Sequence, residues 1–267
     1  MKRDICLFDM DGTLTPPRKK IERDMIDALS KLNNAGIDIG IVTGSDHDYI
    51  MQQCMDLFGM GGPDINHVDL FPCNGTKHYT SRGRSGYELI HTANMIDHIG
   101  QEDYNYLLQT LFANQIMISC KHQIPYTGTF FQYRDSMLNW CPIGRQAEDA
   151  ERDAWSIADT AFKIREYYLS QLQAVIKEKE MDLTVALGGS TSFDIYPKGW
   201  DKTYVLNHLG EYDRIWFVGD RCQEGGNDKA LYDMLNEEDV TDWKAFETDG
   251  PEKTIKLIDK IIAEAGK

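Results

Sequence analysis

Two carboxylates stand one residue apart near the start of the chain. Asp9 and Asp11 follow the apolar stretch Ile5-Cys-Leu-Phe8 and lead into Gly12-Thr13. Strand alternation would send both carboxylates to one side, at the carboxyl end of a strand, where open α/β sheets bind ligands. Anions held so close need a cation, and a hard ion with oxygen ligands such as Mg²⁺ fits. The pattern predicts phosphoryl transfer, in which one aspartate attacks phosphorus and the other passes a proton to the bridging oxygen.

Candidate phosphate donors follow the second apolar stretch, Ile37 to Val42. Thr43-Gly44-Ser45 offers hydroxyl and backbone N–H groups at the start of a predicted helix, where an anion can be held. The alternative for Ser45, and less so for Thr43, is that the side chain only caps that helix.

A positive charge and further carboxylates come from the last quarter of the chain. Lys202 stands at a predicted helix entrance, Asp220 ends the apolar strand Arg214 to Val218, and Asp228 follows eight residues later. Each has an ordinary explanation as a solvated lysine, a polar loop or a helix cap. Together with Thr43-Gly44-Ser45 they make four coincidences at four strand ends, which favour a site with Lys202 and metal-binding carboxylates.

The elements that must position these residues alternate between strand and helix at both ends of the chain. Helical spacing from Ile21 to Leu32, between two apolar strands, predicts a βαβ unit with parallel strands. From about residue 80 to 196 the pattern changes, with strands expected at 130–140 and 183–187 and helices at 101–113 and 149–180. We therefore expect an α/β domain of residues 1–80 and 198–267, split by an inserted α+β domain of residues 81–197. Ser81 to Gly86 is typical of a linker or a mobile turn.

Composition limits the class of protein. The 267 residues, 42% hydrophobic, suffice for two domains, and the net charge of −15 argues against a nucleic-acid partner. No run approaches the roughly 20 apolar residues that span a bilayer, and the first residues do not form a signal peptide. The six cysteines have no paired spacing, which favours reduced thiols. We expect a cytoplasmic protein without a membrane partner.

The predicted insertion carries residues suited to a phosphorylated sugar. Arg134 and Arg145 flank a predicted strand, Arg152 lies near the start of a helix, and guanidinium groups bind phosphate bidentately. Ser192 and Asp194 share one face of a strand and suit sugar hydroxyls. Taken singly, Arg152 could be an exposed helix charge and Asp194 a strand-end residue.

These residues resemble two nested families. The wider resemblance, to the haloacid dehalogenase superfamily, is carried by Asp9, Asp11, Thr43, Lys202, Asp220 and Asp228. It implies a Rossmann-like core with a mostly parallel sheet and an α+β cap. It also implies Mg²⁺, an aspartyl-phosphate on Asp9, acid–base action by Asp11 and stabilisation by Lys202.

The narrower resemblance is to the eukaryotic-type phosphomannomutases. The segments that carry it are Phe8 to Pro16 with Arg18, Met137-Leu-Asn with Pro142-Ile-Gly-Arg145, Ser192-Phe-Asp194 with Gly199-Trp-Asp-Lys202, and Gly225-Gly-Asn-Asp228. It implies that the sugar phosphate is held by Arg18, Arg134, Arg145, Arg152, Ser192 and Asp194, and Thr43 and Ser45 join this predicted substrate-binding set as candidate phosphate donors. It implies that Asp9, Asp11 and Asp220 serve the metal, and the spacing of Asp228 adds a fourth candidate carboxylate.

The reaction implied by this resemblance moves a phosphoryl group between O6 and O1 of mannose, for GDP-mannose biosynthesis. Mannose 1,6-bisphosphate or glucose 1,6-bisphosphate would phosphorylate Asp9, and the cap would close to exclude water. A homodimer joined through the cap is also implied. The alternative is a sugar-phosphate phosphatase of the same superfamily, because Thr43-Gly-Ser-Asp46 is more like phosphatase relatives. A non-catalytic phosphosugar-binding protein would be expected to have lost Asp9, Asp11, Lys202 or Asp220.

Overall fold

Two separate sheets organise the computed structural model, which describes residues 3–237 and 242–266. The core unit comprises residues 1–92 and 199–267, and the inserted unit comprises residues 93–198. The strands are β1 (Asp4–Phe8), β2 (Ile37–Val42), β3 (Val68–Phe71), β4 (Lys77–Ser81), β5 (Tyr87–Thr92), β6 (Phe131–Tyr133), β7 (Leu138–Trp140), β8 (Leu183–Gly188), β9 (Ser192–Pro197), β10 (Arg214–Gly219) and β11 (Trp243–Glu247). The α-helices are α1 (Arg23–Asn34), α2 (His47–Cys54), α3 (Met95–Ile99), α4 (Gln101–Lys121), α5 (Asp149–Phe162), α6 (Ile164–Glu178), α7 (Lys229–Leu235) and α8 (Pro251–Ala265).

The sheet of the core unit is mostly parallel, in the order β11-β10-β1-β2-β3-β4-β5. Strands β11 to β3 pair in parallel, and β4 and β5 extend the edge in antiparallel fashion. The segment Ser81 to Gly86, predicted as a linker or a mobile turn, forms the hairpin turn between β4 and β5, and the predicted boundary at residues 80 and 81 falls inside this sheet. The predicted fold class, an α/β core interrupted by an α+β insertion, is confirmed.

Helices cover both faces of this sheet because alternate residues of its buried strands point in opposite directions. On β1, Cys6 and Phe8 pack in one hydrophobic cluster with residues of α1, α2 and α8. Ile5 and Leu7 pack in a second cluster with residues of α7 and of the segment 202–209. Pro251 is the first residue of α8, where its fixed φ suits the first turn of a helix.

The order of strands brings three strand ends together at one edge of the sheet. β1 lies between β10 and β2, with Phe8 in register with Val218 on one side and Ile41 on the other. Residues that follow these three strands therefore meet at the carboxyl edge. Asp9, Thr43 and Asp220 are such residues.

The inserted unit has its own antiparallel sheet, in the order β6-β7-β9-β8. Its hydrophobic cluster unites the sheet with α3 to α6, and the indole of Trp140 stacks on Phe193 at its centre, with ring centroids 4.5 Å apart.

Several predicted elements are interrupted in the structure. The helix expected over 149–180 is two helices, because Lys163 adopts a left-handed conformation (φ 52°). The strand expected over 130–140 is a hairpin of β6 and β7, with Asp135 at φ 63° in its turn. The helix predicted to begin at Lys202 is a 3₁₀ helix from Lys202 to His208, and α4 runs eight residues beyond its predicted end at 113. Within residues 3–237 and 242–266, no helix has the length and apolarity needed to cross a membrane.

Candidate active site

Three carboxylates converge at the carboxyl edge of the core sheet. Asp9 directly follows β1, and its backbone N–H continues the ladder to Val218 O of β10 at 2.9 Å. Asp220 directly follows β10, and Asp228 precedes α7. Ligand oxygens of the three side chains lie within 4.8 Å of one another. The structure thus brings together three of the four carboxylates predicted to bind metal.

Lys202 is the cation of this cluster. Its side chain is fully buried, and its Nζ donates to Oδ1 of Asp9 and to Oδ1 of Asp228. Asp201 caps the 3₁₀ helix that begins with Lys202, by accepting from Thr203 N at 2.9 Å. Oδ2 of Asp228 accepts from Arg221 N at 3.0 Å, so both oxygens of this buried carboxylate are engaged.

Two glycines let the backbone come close to these carboxylates. Gly12 has φ +87°, and a Cβ there would lie 2.3 Å from Oδ2 of Asp220. At Gly219 a Cβ would lie 2.7 Å from Cγ of Asp228. Side chains at either position would displace the carboxylates, which explains glycine beside both acidic motifs.

The cluster holds more negative than positive charge. Burial raises the pKa of Asp9 to about 7; Lys202 opposes this rise, and Asp228 and Asp220 add to it. Burial and the charge of Asp228 raise the pKa of Asp220 to about 6. Burial alone would lower the pKa of Lys202, but Asp228 and Asp9 outweigh it and raise that pKa. Three carboxylates against one ammonium suit an added hard divalent cation, so the residues fit Mg²⁺.

The raised pKa values predict how the metal-free protein responds to pH. An unfolded aspartate has a pKa near 3.8, so between about pH 4 and pH 7 the folded state binds more protons than the unfolded state. The free energy of unfolding in a chelator should therefore fall by roughly 2 to 4 kcal/mol as pH rises through this window. Urea unfolding at pH 5 and pH 8 measures this fall in the free energy of unfolding. Asp9→Asn should show a smaller fall than the unmodified protein. An equal fall in both proteins would contradict a raised pKa of Asp9.

Asp11, two residues after Asp9, has other hydrogen-bond partners. Its Oδ1 accepts from the backbone N–H of Arg18 at 2.9 Å and from the hydroxyl of Tyr49 at 3.2 Å. Burial, followed by the charge of Asp11, raises the pKa of Tyr49 to about 12, which keeps that hydroxyl a donor. Among the described residues, the carboxylate of Asp11 is not part of the three-carboxylate group. Arg18 is exposed and has positive φ (62°).

Thr43 and Ser45 lie in the loop after β2. Thr43 is buried, and its Oγ1 accepts from Ser45 N at 3.2 Å. The cap of α2 is Asp46, whose carboxylate accepts from Tyr49 N at 3.1 Å, so the alternative explanation of Ser45 as the helix cap is wrong.

The predicted arginines of the inserted unit form a cluster of positive charge. Partial burial and the charges of Arg134 and Arg152 lower the pKa of Arg145, although Asp194 opposes this effect. Asn139 connects the cluster to Asp194: its Oδ1 accepts from Arg145 Nη1 at 2.8 Å, and its Nδ2 donates to Asp194 Oδ1 at 2.7 Å. The cluster is therefore organised before any anion binds.

Arg152 connects this arginine cluster to the turn between β8 and β9. Arg152 Nη2 donates to Thr191 Oγ1 at 2.9 Å, and Ser192, which is buried, opens β9. Ser192 and Asp194 are alternate residues of that strand, so they share a face as predicted. The inserted unit thus gathers Arg134, Arg145, Arg152, Ser192 and Asp194.

Comparison with known proteins identifies the family. The model of the family described as eukaryotic phosphomannomutase matches residues 25–264. The chain belongs to this family. It is 38% identical over 232 residues to a phosphomannomutase of Dendrobium officinale, covering 86% of this chain and 84% of that protein. It is 38% identical over 235 residues to phosphomannomutase 1 of Mus musculus, with the same coverage, and 34% identical over 242 residues to a phosphomannomutase of Drosophila melanogaster (87% and 88%). It is an enzyme of the phosphomannomutase kind.

Solved structures with a similar fold are more distant from this phosphomannomutase-family chain in sequence. An IMP-bound IMP-nucleotidase of Plasmodium falciparum has a TM-score of 0.66 at 11% identity, over 98% of this chain and 68% of that one. The C-terminal domain of trehalose-6-phosphate phosphatase of C. albicans has a TM-score of 0.61 at 16% identity (98% and 92%). At these identities the likeness concerns the fold, which is of the haloacid dehalogenase type.

Sequence reasoning missed three residues that contact predicted site residues. Tyr49 and Thr191 lie in ordinary-looking helix or turn positions, and no local motif marks them. Asn139 stands inside the quoted segment Met137-Leu-Asn, so its position in the sequence between Arg134 and Arg145 was the available signal.

Proposed function

We propose that this protein interconverts mannose 6-phosphate and mannose 1-phosphate through an aspartyl-phosphate on Asp9, primed by mannose 1,6-bisphosphate or glucose 1,6-bisphosphate. The observation that carries the proposal is the buried cluster of Asp9, Lys202, Asp220 and Asp228 at the carboxyl edge of the sheet. The family supports the substrate class. The pathway that fits is GDP-mannose biosynthesis.

Asp9 is the proposed nucleophile. Lys202 donates to Oδ1 of Asp9 and so fixes the carboxylate, which leaves Oδ2 to attack phosphorus. The bond between Oδ2 and phosphorus forms as the bond between phosphorus and the sugar oxygen breaks. Asp228, held by Lys202 and Arg221 N, keeps the lysine charged and in place.

Asp11 is the proposed acid and base. The hydroxyl of Tyr49 and the backbone of Arg18 hold one carboxylate oxygen, which orients the other for proton transfer. Asp11 gives its proton to the departing sugar oxygen and takes it back from the sugar hydroxyl that attacks the aspartyl-phosphate. This balances the proton over the full cycle.

Mg²⁺ would be held by the carboxylates of Asp9 and Asp220, with Asp228 adding negative charge beside them. When bound, the ion supplies positive charge that offsets the negative charge developing on the transferring phosphoryl group. Direct ligation by Asp11 and Asp228 stays a prediction, because Oδ1 of Asp11 and both oxygens of Asp228 already accept hydrogen bonds.

The remaining predicted residues would hold the rest of the substrate. Thr43 and Ser45 offer donors to the transferring phosphoryl group. In the inserted unit the arginine cluster would hold the phosphate that is not reacting, and Ser192 and Asp194 would hold sugar hydroxyls. Arg18 completes this proposed set. Since the bisphosphate must turn round between the two transfers, the same guanidinium groups would bind either of its phosphates in turn.

The deciding experiment separates a mutase from a phosphatase. The protein is incubated with mannose 1-phosphate, Mg²⁺ and a trace of glucose 1,6-bisphosphate, and both mannose 6-phosphate and inorganic phosphate are followed. We expect mannose 6-phosphate with little free phosphate, and slower turnover when the bisphosphate is omitted. Release of phosphate at a rate equal to or above that of mannose 6-phosphate formation would instead support the sugar-phosphate phosphatase.

We further propose a cytoplasmic homodimer joined through the inserted unit. Helix α4 of this unit exposes Phe112, Ile116 and Met117 to solvent by 53%, 63% and 46%, and such surface on a small unit favours association. Light scattering on the eluted protein measures the mass, and a monomer at micromolar concentration would refute the dimer.

A further inference from the structure

A buried ion pair of the inserted unit lies outside the residues discussed so far as substrate ligands. Asp159 near the end of α5 and Arg165 near the start of α6 are each 8% exposed. Asp159 Oδ2 accepts from Arg165 Nε at 2.6 Å, and Oδ1 accepts from Arg165 N at 2.7 Å. The left-handed residue Lys163 ends α5 and lets α6 turn back so that the two side chains meet.

Arg165 reaches beyond its carboxylate partner. Its Nη1 donates to the backbone oxygens of Gly189 at 3.0 Å and Ser192 at 3.2 Å. These two carbonyls stand on either side of the turn that joins β8 to β9. A guanidinium has five donors in a fixed plane, so it can hold a carboxylate and two carbonyls at once, whereas an ammonium group offers a single nitrogen.

The turn that Arg165 holds is the turn that meets Arg152. Thr191, which is fully buried, accepts from Arg152 Nη2, and Ser192 follows it. Arg152 and Asp159 are seven residues apart on α5, so they lie on the same face of the helix, two turns apart. One helix therefore contacts the turn at two points, directly through Arg152 and by way of Asp159 and Arg165.

We propose that Arg165, held by Asp159, is a positioning residue that fixes the turn 189–192 and through it sets Arg152 and Ser192 for the sugar phosphate. This inference rests on the proposed function, because it assumes that Arg152 and Ser192 bind substrate. A purely structural ion pair would need only its charge balanced, which a lysine could do. A positioning role needs the two bonds from Nη1 to the turn.

The test is Arg165→Lys in the full chain. The lysine keeps a positive charge beside Asp159, so the variant should still unfold cooperatively. It loses the two hydrogen bonds to the turn. We expect KM for mannose 1-phosphate to rise roughly 5- to 50-fold, as for two lost hydrogen bonds, with kcat changed less than about 3-fold. Calorimetric binding of mannose 1-phosphate should weaken by the same factor, and this measurement does not depend on turnover.

A matched control exists in the core unit. Arg214 pairs with Asp4, with Nε to Oδ1 at 2.9 Å, and its Nη2 also donates to a backbone oxygen, that of Ala265, at 3.2 Å. Arg214→Lys makes the same chemical change at the ends of β1 and β10 opposite to Asp9 and Asp220. It should leave KM and the calorimetric affinity unchanged.

Thr191→Val provides a second, independent variant, because it removes the acceptor of Arg152 without touching Arg165. If both act through the turn, the double variant should raise KM by less than the product of the two single effects. The positioning role would be overturned if KM and affinity were unchanged in Arg165→Lys. It would also be overturned if the rise in KM of the double variant equalled the product of the two single effects. An unmodified protein that makes no mannose 6-phosphate would instead count against the proposed function, and calorimetry would still decide the role of Arg165.

Discussion

Asp9→Asn is expected to lower kcat/KM by roughly 10⁴-fold or more while the protein stays folded. The amide keeps the size of the side chain but is a poor nucleophile, and it cannot accept from Lys202 with a full negative charge. The loss should appear in both directions of the reaction. Transfer of radiolabelled phosphate from glucose 1,6-bisphosphate to the protein, measured after quenching in acid, should disappear in the variant.

The control for this substitution is Asp4→Asn. Asp4 is also a buried aspartate of the first strand, 7% exposed, but it stands at the opposite end and pairs with Arg214. It should lose stability and keep labelling and turnover within about 3-fold, as expected of a residue that only supports the fold. Substantial turnover in Asp9→Asn would remove that residue as the nucleophile.

Lys202→Met is expected to lower the free energy of unfolding of the metal-free protein by roughly 3 to 5 kcal/mol. The lysine is fully buried, and its loss leaves Asp9 and Asp228 buried without their cation. The effect has the opposite sign to that of Asp9→Asn, which removes one of three crowded carboxylates and should stabilise the metal-free protein at pH 8. Turnover should fall by at least roughly 10³-fold, because the nucleophile loses its orientation.

Urea unfolding at pH 8, with and without Mg²⁺, measures this prediction. Added Mg²⁺ should return part of the lost stability, since it replaces some of the missing positive charge. Lys31→Met serves as the control, because Lys31 forms an exposed pair with Asp259 and should change neither stability nor turnover appreciably. A stable Lys202→Met variant would mean that the carboxylates do not need this cation.

The carboxyl edge of the core sheet was largely predictable from sequence. Asp9, Thr43 and Asp220 directly follow apolar strands, and parallel strands bring their carboxyl ends to one edge. Asp228, eight residues after Asp220, meets Asp9 and Asp220 there. The direction of the Asp11 side chain was not predictable, because it depends on Tyr49, which reaches it from α2.

The inserted unit was less predictable for physical reasons that can be named. An uninterrupted helical pattern over 149–180 gave no sign that Lys163 would adopt a left-handed conformation, which the Asp159–Arg165 pair accompanies. The segment Ser81 to Gly86 was predicted as a linker or a mobile turn, because its composition is typical of both. Only the pairing of β4 with β3 and β5 distinguishes the two.

The ion pair between Asp9 and Lys202 joins residues 193 positions apart. During synthesis, Asp9 emerges from the ribosome almost at once, whereas Lys202, Asp220 and Asp228 emerge only after the whole insertion has been translated. Strand β1 likewise cannot pair with β10, its neighbour in the folded sheet, until β10 has been synthesised. A nascent chain shorter than about 228 residues thus holds an incomplete reactive centre, and premature termination there would yield an inert product rather than a partly active one.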